Sequence, residues 1–387
     1  MKPLKAYLNF LLYRVNRELR RPVIDNYPVV AFVDPTTFCN LRCPACPTGA
    51  RAGLRPQATL DWDLYRAFME EVGDYLFKLY LYNLGEPLLH KKAPELVELA
   101  RARDIFVMVS SNLSFPLSDD YCERLVRSGL DVLVVPLDGT TPETYQTYRQ
   151  QGCFELVREN MRKVQATKQR LDSLTPRVVW QFLVFRHNEH EVDTVRREYR
   201  AWGADEYCIG GAYLPLSGGL APSSMAQYDI YDPGHLHRRM TLQAMAEAKA
   251  CTWLYGVSVL NASGKLSPCC YTAAEKDDFG DYAPGEFMRS WNAERFTRAR
   301  TLTGNWQANE SWDAIGRRMN GRGMGVAAAL APGQLVCERC PVPFLQDVVD
   351  HELSFGVDEL VRHIQASPEL TPEGTKLLDY LLSQMAR

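Results

Sequence analysis

The segment Asp34-Pro-Thr-Thr-Phe-Cys-Asn-Leu-Arg-Cys-Pro-Ala-Cys-Pro-Thr-Gly49 places Cys39, Cys43 and Cys46 at the spacing C-x3-C-x2-C. This spacing offers three thiolates to one small metal site. Cubane iron-sulfur clusters usually take four Cys thiolates, so a trio leaves one iron of a four-iron cube open for a small molecule. A zinc site is the alternative, but it needs a fourth ligand nearby, and the first His of the chain is His90.

Short apolar runs rich in β-branched and aromatic residues alternate with amphipathic segments across the first half of the chain. Six runs are candidate strands, at residues 29–33, 79–83, 106–110, 131–135, 178–184 and 206–209. The segments between them have helical spacing, and several open on Asp, Ser or Pro, which are helix-start signals. Alternating strands and helices predict a parallel sheet with right-handed crossovers. The predicted fold class is therefore α/β, with six units curled into a partial (β/α)6 TIM-like barrel.

Polar residues stand just past the carboxyl ends of the early strands, where parallel α/β barrels place their chemistry. The three Cys follow the first strand, Asn83-Leu-Gly-Glu-Pro87 the second, Ser110-Ser-Asn112 the third and Leu137-Asp-Gly139 the fourth. Because the carboxyl ends of parallel strands share one edge of a sheet, we expect these segments to meet at one mouth. This placement indicates a functional site independently of the Cys spacing.

With its C-x3-C-x2-C motif directly after the first strand, the chain resembles the radical S-adenosylmethionine (SAM) superfamily of enzymes. The resemblance implies a 4Fe-4S cluster on Cys39, Cys43 and Cys46, with SAM chelating the open iron. It also implies a reductant such as flavodoxin or ferredoxin, cleavage of SAM to a 5′-deoxyadenosyl radical, and hydrogen abstraction from a substrate. One departure is Ala45, where the family usually has a bulky apolar or aromatic residue.

The resemblance also assigns cofactor-binding residues to the other strand ends. Gly85-Glu86 resembles the family's GGE element, with Leu84 in place of the first Gly. This match makes Glu86 or the local backbone the acceptor for the methionyl ammonium of SAM. Ser111 and Asn112 match the residues that contact the methionyl carboxylate or the ribose, and Asp138 matches a residue near the ribose. Ordinary loop capping by Asp and Asn explains these last residues equally well.

A second set of cysteines lies in the C-terminal half, where Cys251 and Cys269-Cys270 are followed distantly by Cys337 and Cys340. The order C-x17-C and then C-x2-C, with a predicted β-hairpin before Cys269, resembles the Twitch relative of the SPASM extension. We predict one auxiliary 4Fe-4S cluster on Cys251, Cys269, Cys337 and Cys340, although Cys270 can replace Cys269 as the ligand. A zinc site of the same residues is the alternative.

The second set bears on how a substrate radical is resolved. A fully ligated cluster can accept the electron of that radical while a base takes a proton, which amounts to oxidation or dehydrogenation. The candidate bases lie near this set and are Tyr271, Glu275, Asp277 and Asp278, unless the run is simply a solvated acidic turn. Epimerisation would instead need a thiol as hydrogen donor, for which Cys208 and Cys270 are candidates. The alternative for Cys208 is a buried small apolar residue.

Size and composition set the organisation of the chain. Its 387 residues exceed the usual limit for a single hydrophobic core. Its net charge of −3 does not indicate a broad positive surface for nucleic acid. Cysteines grouped in motifs, without a signal peptide, predict a reducing, cytoplasmic location. The predicted segments are a basic amphipathic helix at 1–26, the barrel at 27–213, a linker at 214–240, an α+β SPASM/Twitch-like auxiliary domain (β-hairpin plus helix) at 241–345 and a helical tail at 346–387.

The N-terminal segment and the substrate leave alternatives open. A leucine stripe flanked by Lys and Arg over residues 2–21 suits either a helix on an anionic membrane surface or one packed against the barrel. The short stretch before the first strand has no room for a leader-peptide-binding domain, which favours a small molecule, sugar, nucleoside or lipid-linked precursor as substrate. A peptide-modifying maturase, a thiol-dependent epimerase and a non-catalytic iron-sulfur or zinc scaffold stay as alternatives.

Overall fold

The computed structural model describes residues 2–212, 219–229, 250–304, 335, 337 and 357–385. The described strands form one sheet in the order β6-β5-β4-β3-β2-β1-β7-β8-β9. Their bounds are β1 Val30–Val33, β2 Lys78–Tyr80, β3 Phe106–Ser110, β4 Val132–Pro136, β5 Arg177–Val184, β6 Glu206–Gly211, β7 Val257–Leu260, β8 Lys265–Ser267 and β9 Gly280–Asp281. The sheet is therefore continuous from the barrel into the C-terminal half.

The first six strands are parallel and are paired in chain order, as a partial barrel requires. This confirms the predicted α/β fold class. The second strand is displaced from its predicted range of 79–83, because the chain leaves the sheet after Tyr80 and turns towards the loop that follows β1. The carboxyl ends of β1 to β4 consequently open on the same side, with the Cys trio between them.

The C-terminal hairpin extends the barrel sheet at its β1 edge. β7 pairs in parallel with β1, in a register that sets Val30 opposite Val257. β8 runs antiparallel to β7, and Gly264 in the connecting turn has a φ of 83°, a left-handed conformation that Gly adopts without strain. The predicted hairpin is present, and it shares hydrogen bonds with the barrel. Most of the predicted linker lies outside the described residues, so the domain boundaries stay predictions.

The helices lie between the strands and after them. The described helices are α1 Leu4–Glu18, α2 Trp62–Val72, α3 Ala93–Arg101, α4 Asp119–Arg127, α5 Pro142–Tyr148, α6 Phe154–Arg170, α7 Val192–Glu198, α8 Thr252–Gly256, α9 Phe287–Trp291, α10 Glu294–Gly304, α11 Val357–Gln365 and α12 Pro372–Met385. Side chains cap several starts: Asp61 accepts from two backbone N–H groups of α2, and the Ser118 side chain accepts from the Tyr121 N–H of α4. These caps explain where α2 and α4 begin, and both agree with the Asp and Ser start signals in the sequence.

The N-terminal helix α1 packs within the fold. Phe10, Leu11 and Val15 on its apolar face are fully buried, and the helix contacts α11 and α12. At its end, Arg17 Nε donates to the carbonyl oxygen of Ala250 at 2.9 Å. Of the two alternatives for this helix, the structure shows the one in which it packs against the rest of the protein. The apolar face that would contact a membrane surface is covered by protein. Among the described residues, no helix has the length and apolar character needed to cross a membrane.

Candidate metal centre at the barrel mouth

The loop after β1 brings the three cysteines of the trio together. Cys43 is buried, whereas Cys39 and Cys46 are half-buried, and the Cys46 N–H donates to the Cys43 carbonyl oxygen at 3.1 Å. Gly49 closes the loop, since a Cβ at that position would lie 2.6 Å from the backbone of Cys43. All three cysteines lie in or against a small apolar patch, formed with Leu41, Ala45, Tyr148, Phe185 and Ala212. The trio therefore sits against an apolar surface, with Cys43 buried and the other two thiols partly accessible.

The electrostatics of the trio suit a metal group. Burial raises the pKa of Cys39 to about 12 and also raises the pKa of Cys43, and the neighbouring thiols add to the effect. A cation that binds thiolates removes this penalty. In the described residues, no three His, Cys, Asp or Glu side chains converge on a point to hold a single ion. A cubane gives each thiolate a separate iron, so its ligands need no such convergence, and three soft donors in an apolar patch fit it.

The loop after β2 is clamped beneath the Cys loop. The Glu86 N–H donates to the Phe38 carbonyl oxygen at 2.8 Å. A Cβ at Gly85 would lie only 1.7 Å from the carbonyl oxygen of Thr36, so no side chain fits there. The predicted GGE-like element thus contacts the Cys loop through its backbone, and this contact explains the Gly at position 85.

The carboxylate of Glu86 braces two strand ends. Its side chain is buried, with Oε1 accepting from the Leu88 N–H at 3.1 Å and Oε2 from the Asn112 N–H at 2.7 Å. Burial raises the pKa of Glu86 to about 7, and the hydrogen bond from the Asn112 N–H opposes that rise. Because backbone donors engage both oxygens, the local backbone is better placed than Glu86 to receive an ammonium group.

Asn112 reaches the trio from the end of β3. Its Nδ2 donates to Asn40 Oδ1 at 3.0 Å and lies 3.9 Å from Cys39 Sγ, while its Oδ1 accepts from the Ser114 N–H at 2.8 Å. Ser111 is fully buried and accepts from the Leu113 N–H at 3.2 Å. The structure therefore brings Asn112 to the metal centre and uses Ser111 to support the turn behind it.

Asp138 and Arg149 form a buried pair beside the trio. Asp138 is fully buried, with Oδ1 accepting from the Leu183 N–H at 2.7 Å and Oδ2 from Arg149 Nε at 2.6 Å. Arg149 Nη1 lies 3.9 Å from Cys43 Sγ. Burial alone would lower the pKa of Arg149, but the charges of Asp138 and Cys43 raise it overall, so the guanidinium stays charged. Asp138 thus positions Arg149, a residue that the sequence analysis missed because no motif marks it.

The described cysteines of the second set lie in or against the main apolar core. Cys337 is a buried member of that core, and Cys251, Cys269 and Cys270 pack against it. Burial raises the pKa of Cys269 to about 11, with the nearby Cys251 as the next cause. The turn after β8 therefore carries Cys269 and Cys270 to the start of α8, where Cys251 lies. Cys340, the fourth predicted ligand, lies outside the described residues.

The candidate bases near the second set have different surroundings. Both oxygens of Asp278 accept from Arg55, at 2.6 and 2.8 Å, in an ion pair that is almost fully buried, so this carboxylate is committed to a structural role. Glu275 lines a different hollow, on the outer side of the hairpin, and lies 3.9 Å from Lys265. Asp277 is half-buried, and burial raises its pKa.

The remaining candidates are Tyr271 and two cysteines. Tyr271 is half-buried, with its ring edge-on to Trp253 at 6.5 Å between centroids. Cys208 is exposed in the middle of β6, because its strand lies at the edge of the sheet. The alternative of a buried apolar Cys208 is therefore wrong. Cys270 is the candidate hydrogen donor that the structure places next to the second set.

A cavity of about 400 Å³ opens beside the trio. Cys39 and Thr37 line it from the loop after β1, and Leu84 lines it from the loop after β2. Ala273, which follows the Cys269-Cys270 pair, contributes from the C-terminal half. The cavity is thus lined by one cysteine of the trio and by a residue that closely follows Cys269-Cys270 in the chain, and it can admit a molecule to Cys39.

Comparison with known proteins shows which family and which relatives the chain is similar to. The family model of the Radical SAM superfamily matches residues 33–196. The tungsten-containing aldehyde ferredoxin oxidoreductase cofactor-modifying protein of Pyrococcus furiosus is 19% identical over 302 residues, which cover 71% of this chain and 84% of that protein.

Solved structures share the fold at low sequence identity. SuiB of Streptococcus suis, bound to S-adenosylmethionine, superposes with a TM-score of 0.54 at 10% identity, covering 72% of this chain and 68% of SuiB. The structure of anSMEcpe with bound AdoMet and the Cp18Cys peptide gives a TM-score of 0.51 at 12% identity and covers 87% of this chain and 99% of that protein. Both likenesses extend beyond the barrel into the C-terminal half.

Proposed function

We propose that this chain, whose residues 33–196 match the Radical SAM superfamily model, cleaves SAM reductively and then oxidises a substrate radical. In this proposal Cys39, Cys43 and Cys46 would hold a 4Fe-4S cluster with one iron open for SAM. When bound, the cluster supplies the electron that cleaves SAM to the 5′-deoxyadenosyl radical, which takes hydrogen from the substrate. The observation that carries the proposal is that all three thiols of the trio lie in or against one apolar patch at the carboxyl end of β1.

Residues around the trio suit it for holding thiolates. Arg149 offers a positive charge 3.9 Å from Cys43 Sγ, and Asn112 directs an amide N–H towards Cys39 Sγ. A nearby cation favours the thiolate form of Cys, which is the form that binds metal. Gly85 lets the loop after β2 approach the Cys loop and leaves its backbone beside the place where SAM would bind. The methionyl ammonium would then be held by this local backbone.

The second set of cysteines supports an auxiliary 4Fe-4S cluster in the proposal. Cys251, Cys269 and Cys337 share the main core, and Cys340 would supply the fourth thiolate. A cluster that is fully ligated by protein has no open iron, so it suits electron transfer better than substrate binding. Its part would be to accept the electron of the substrate radical, which makes the net reaction an oxidation. A reductant such as flavodoxin or ferredoxin would reduce the cluster on the trio.

The proposed substrate is a small molecule, sugar, nucleoside or lipid-linked precursor. The cavity beside Cys39, at about 400 Å³, has the volume of an ordinary small-molecule site. Peptide modification is the second candidate, because the similar fold of anSMEcpe was solved with a bound peptide. A thiol-dependent epimerase, with Cys270 as hydrogen donor, is a further candidate function.

The enzyme proposal is tested by anaerobic reconstitution with iron and sulfide, followed by dithionite and SAM. We expect chromatography to show 5′-deoxyadenosine with the wild type and with Cys208→Ala, a matched control whose thiol is exposed on β6. The triple variant Cys39→Ala/Cys43→Ala/Cys46→Ala should form none. A fully loaded wild type that gives no product would favour the non-catalytic scaffold instead.

The auxiliary cluster is tested by counting iron and sulfide in the same proteins. We expect about eight irons per chain in the wild type and about four in the triple variant, because each cubane holds four. Zinc in the triple variant, without iron, would show that the second set is a zinc site. The count is independent of SAM cleavage, so it tests the second set alone.

A further inference from the structure

The walls of the cavity beside Cys39 point to the chemistry of its ligand. Residues of the Cys loop line it, and so does Ala273, which follows Cys270 by three residues. If the proposed function holds, a substrate loses hydrogen near the first set and an electron to the second. Such a substrate would need to be near both sets, and this cavity is lined by Cys39 of the first set and by a residue that closely follows Cys269-Cys270 in the chain.

The cavity is positively charged. Three arginines line it, Arg42, Arg51 and Arg55, and no Asp or Glu among the described residues does so. The charge of Arg55 is offset by Asp278, in the ion pair described above. Within the part of the chain that the structure describes, Arg42 and Arg51 form no ion pair. The cavity therefore carries two positive charges that no carboxylate of the described residues balances.

Arg42 and Arg51 both lie in the Cys loop, and hydrogen bonds to its backbone hold them in place. Arg42 Nη1 donates to the carbonyl oxygens of Leu41 at 2.8 Å and Cys39 at 3.3 Å, so one edge of its guanidinium is anchored. The other two guanidinium nitrogens, Nε and Nη2, form no hydrogen bond to the described residues. Arg51 sits in a turn held by its N–H, which donates to the Thr48 carbonyl oxygen at 3.1 Å, and its side chain is exposed.

We propose that this cavity binds the substrate through an anionic oxygen group, a phosphate or a carboxylate, held by Arg42 and Arg51. Planar guanidinium groups match such oxyanions with paired N–H donors, and these charge-assisted hydrogen bonds are among the strongest in proteins. An anion at this point would also balance the two charges. The proposal rests on the proposed function for the identity of the ligand as substrate, but the binding of an oxyanion rests on the cavity alone.

The test is isothermal titration calorimetry of the reconstituted full chain with inorganic phosphate and, separately, with glutarate. We expect one of the two probes to bind the wild type, and the tighter probe indicates which oxyanion the cavity prefers. Affinity should fall about tenfold in Arg42→Gln and in Arg51→Gln, since each loses charge-assisted hydrogen bonds, and further in the double variant. Arg197→Gln, exposed on α7, is the matched control and should bind like the wild type.

Three results would overturn the proposal. One is that neither probe binds the wild type. Another is equal affinity in the wild type and the double variant. The third is a parallel loss of SAM binding in Arg51→Gln, a variant of an exposed side chain, because that would assign the arginines to the methionyl carboxylate. Titration needs no turnover, so the two proposals can fail separately. Oxyanion binding without formation of 5′-deoxyadenosine would refute the enzyme proposal and support the oxyanion site. Formation of 5′-deoxyadenosine without oxyanion binding would refute the oxyanion site alone.

Discussion

Removing the charge of Arg149 should lower the reduction potential of the cluster on the trio. Arg149 Nη1 lies 3.9 Å from Cys43 Sγ, and Asp138 holds the guanidinium through its Nε at 2.6 Å. A positive charge at this distance stabilises the reduced cluster, which carries one more electron. The test variant is Arg149→Met, which keeps most of the side-chain volume and removes the charge.

The size of the shift follows from the geometry. Two unit charges 3.9 Å apart interact by about 4 kcal/mol at an effective dielectric constant of about 20. For a one-electron couple this corresponds to about 170 mV. The added electron would reside on the irons, beyond the sulfur atom of Cys43, so this value is an upper bound. We therefore expect a shift on the order of 100 mV to lower potential.

The opposite substitution should move the potential the other way. Asp138→Asn removes the negative partner and leaves the charge of Arg149 near Cys43 uncompensated, so the potential should rise. Redox titration followed by electron paramagnetic resonance measures both variants, using the signal that the Cys39→Ala/Cys43→Ala/Cys46→Ala protein lacks. Arg197→Gln, far along the chain on α7, serves as the control. Shifts of the same sign in both variants, or a shift below about 20 mV in Arg149→Met, would refute the reasoning.

Three further predictions concern the residues that hold the site together. Arg55→Met should lower the free energy of unfolding by about 3–5 kcal/mol in urea titrations, because it leaves the buried Asp278 carboxylate without its cation. A loss below about 1 kcal/mol would contradict this. Gly85→Ala should reduce iron uptake, since its Cβ would lie 1.7 Å from a carbonyl oxygen of the Cys loop, whereas Gly280→Ala, with open space, should load normally. Equal iron in the two would be the contrary result. Burial raises the pKa of Asp34 to about 7, so the folded apoprotein keeps a proton that the unfolded chain releases near pH 4. Stability should then fall as pH rises from about 4 to about 7, and Asp34→Asn should flatten that slope. An unchanged slope would count against it.

The sequence predicts those features that depend on patterns of residues close together in the chain. The spacing of Cys39, Cys43 and Cys46 and the alternation of strands and helices each depend on residues close together in the chain. They correctly predict the α/β fold class and its partial barrel. The start of α2 is likewise set by a residue next to it, because its cap Asp61 is adjacent in the chain.

Features that depend on tertiary contacts are missed. Arg149 meets Cys43 only because α5 returns to the mouth, and Arg55 pairs with Asp278, 223 residues away. Asp278 is for that reason a structural partner and not the base that its local acidic run suggests. Likewise, the pairing of β7 with β1 joins the C-terminal half to the barrel sheet, whereas the sequence indicates a separate domain. No local pattern carries these pairings.

The most direct test of the account is whether SAM binds an iron that the trio leaves open. Electron-nuclear double resonance on the reduced, reconstituted protein with nitrogen-15-labelled SAM measures this. We predict a nitrogen coupling to the cluster signal in the wild type and in Cys208→Ala. A fully loaded cluster that shows no coupling to labelled SAM would contradict the central claim that Cys39, Cys43 and Cys46 leave one iron free for the cofactor.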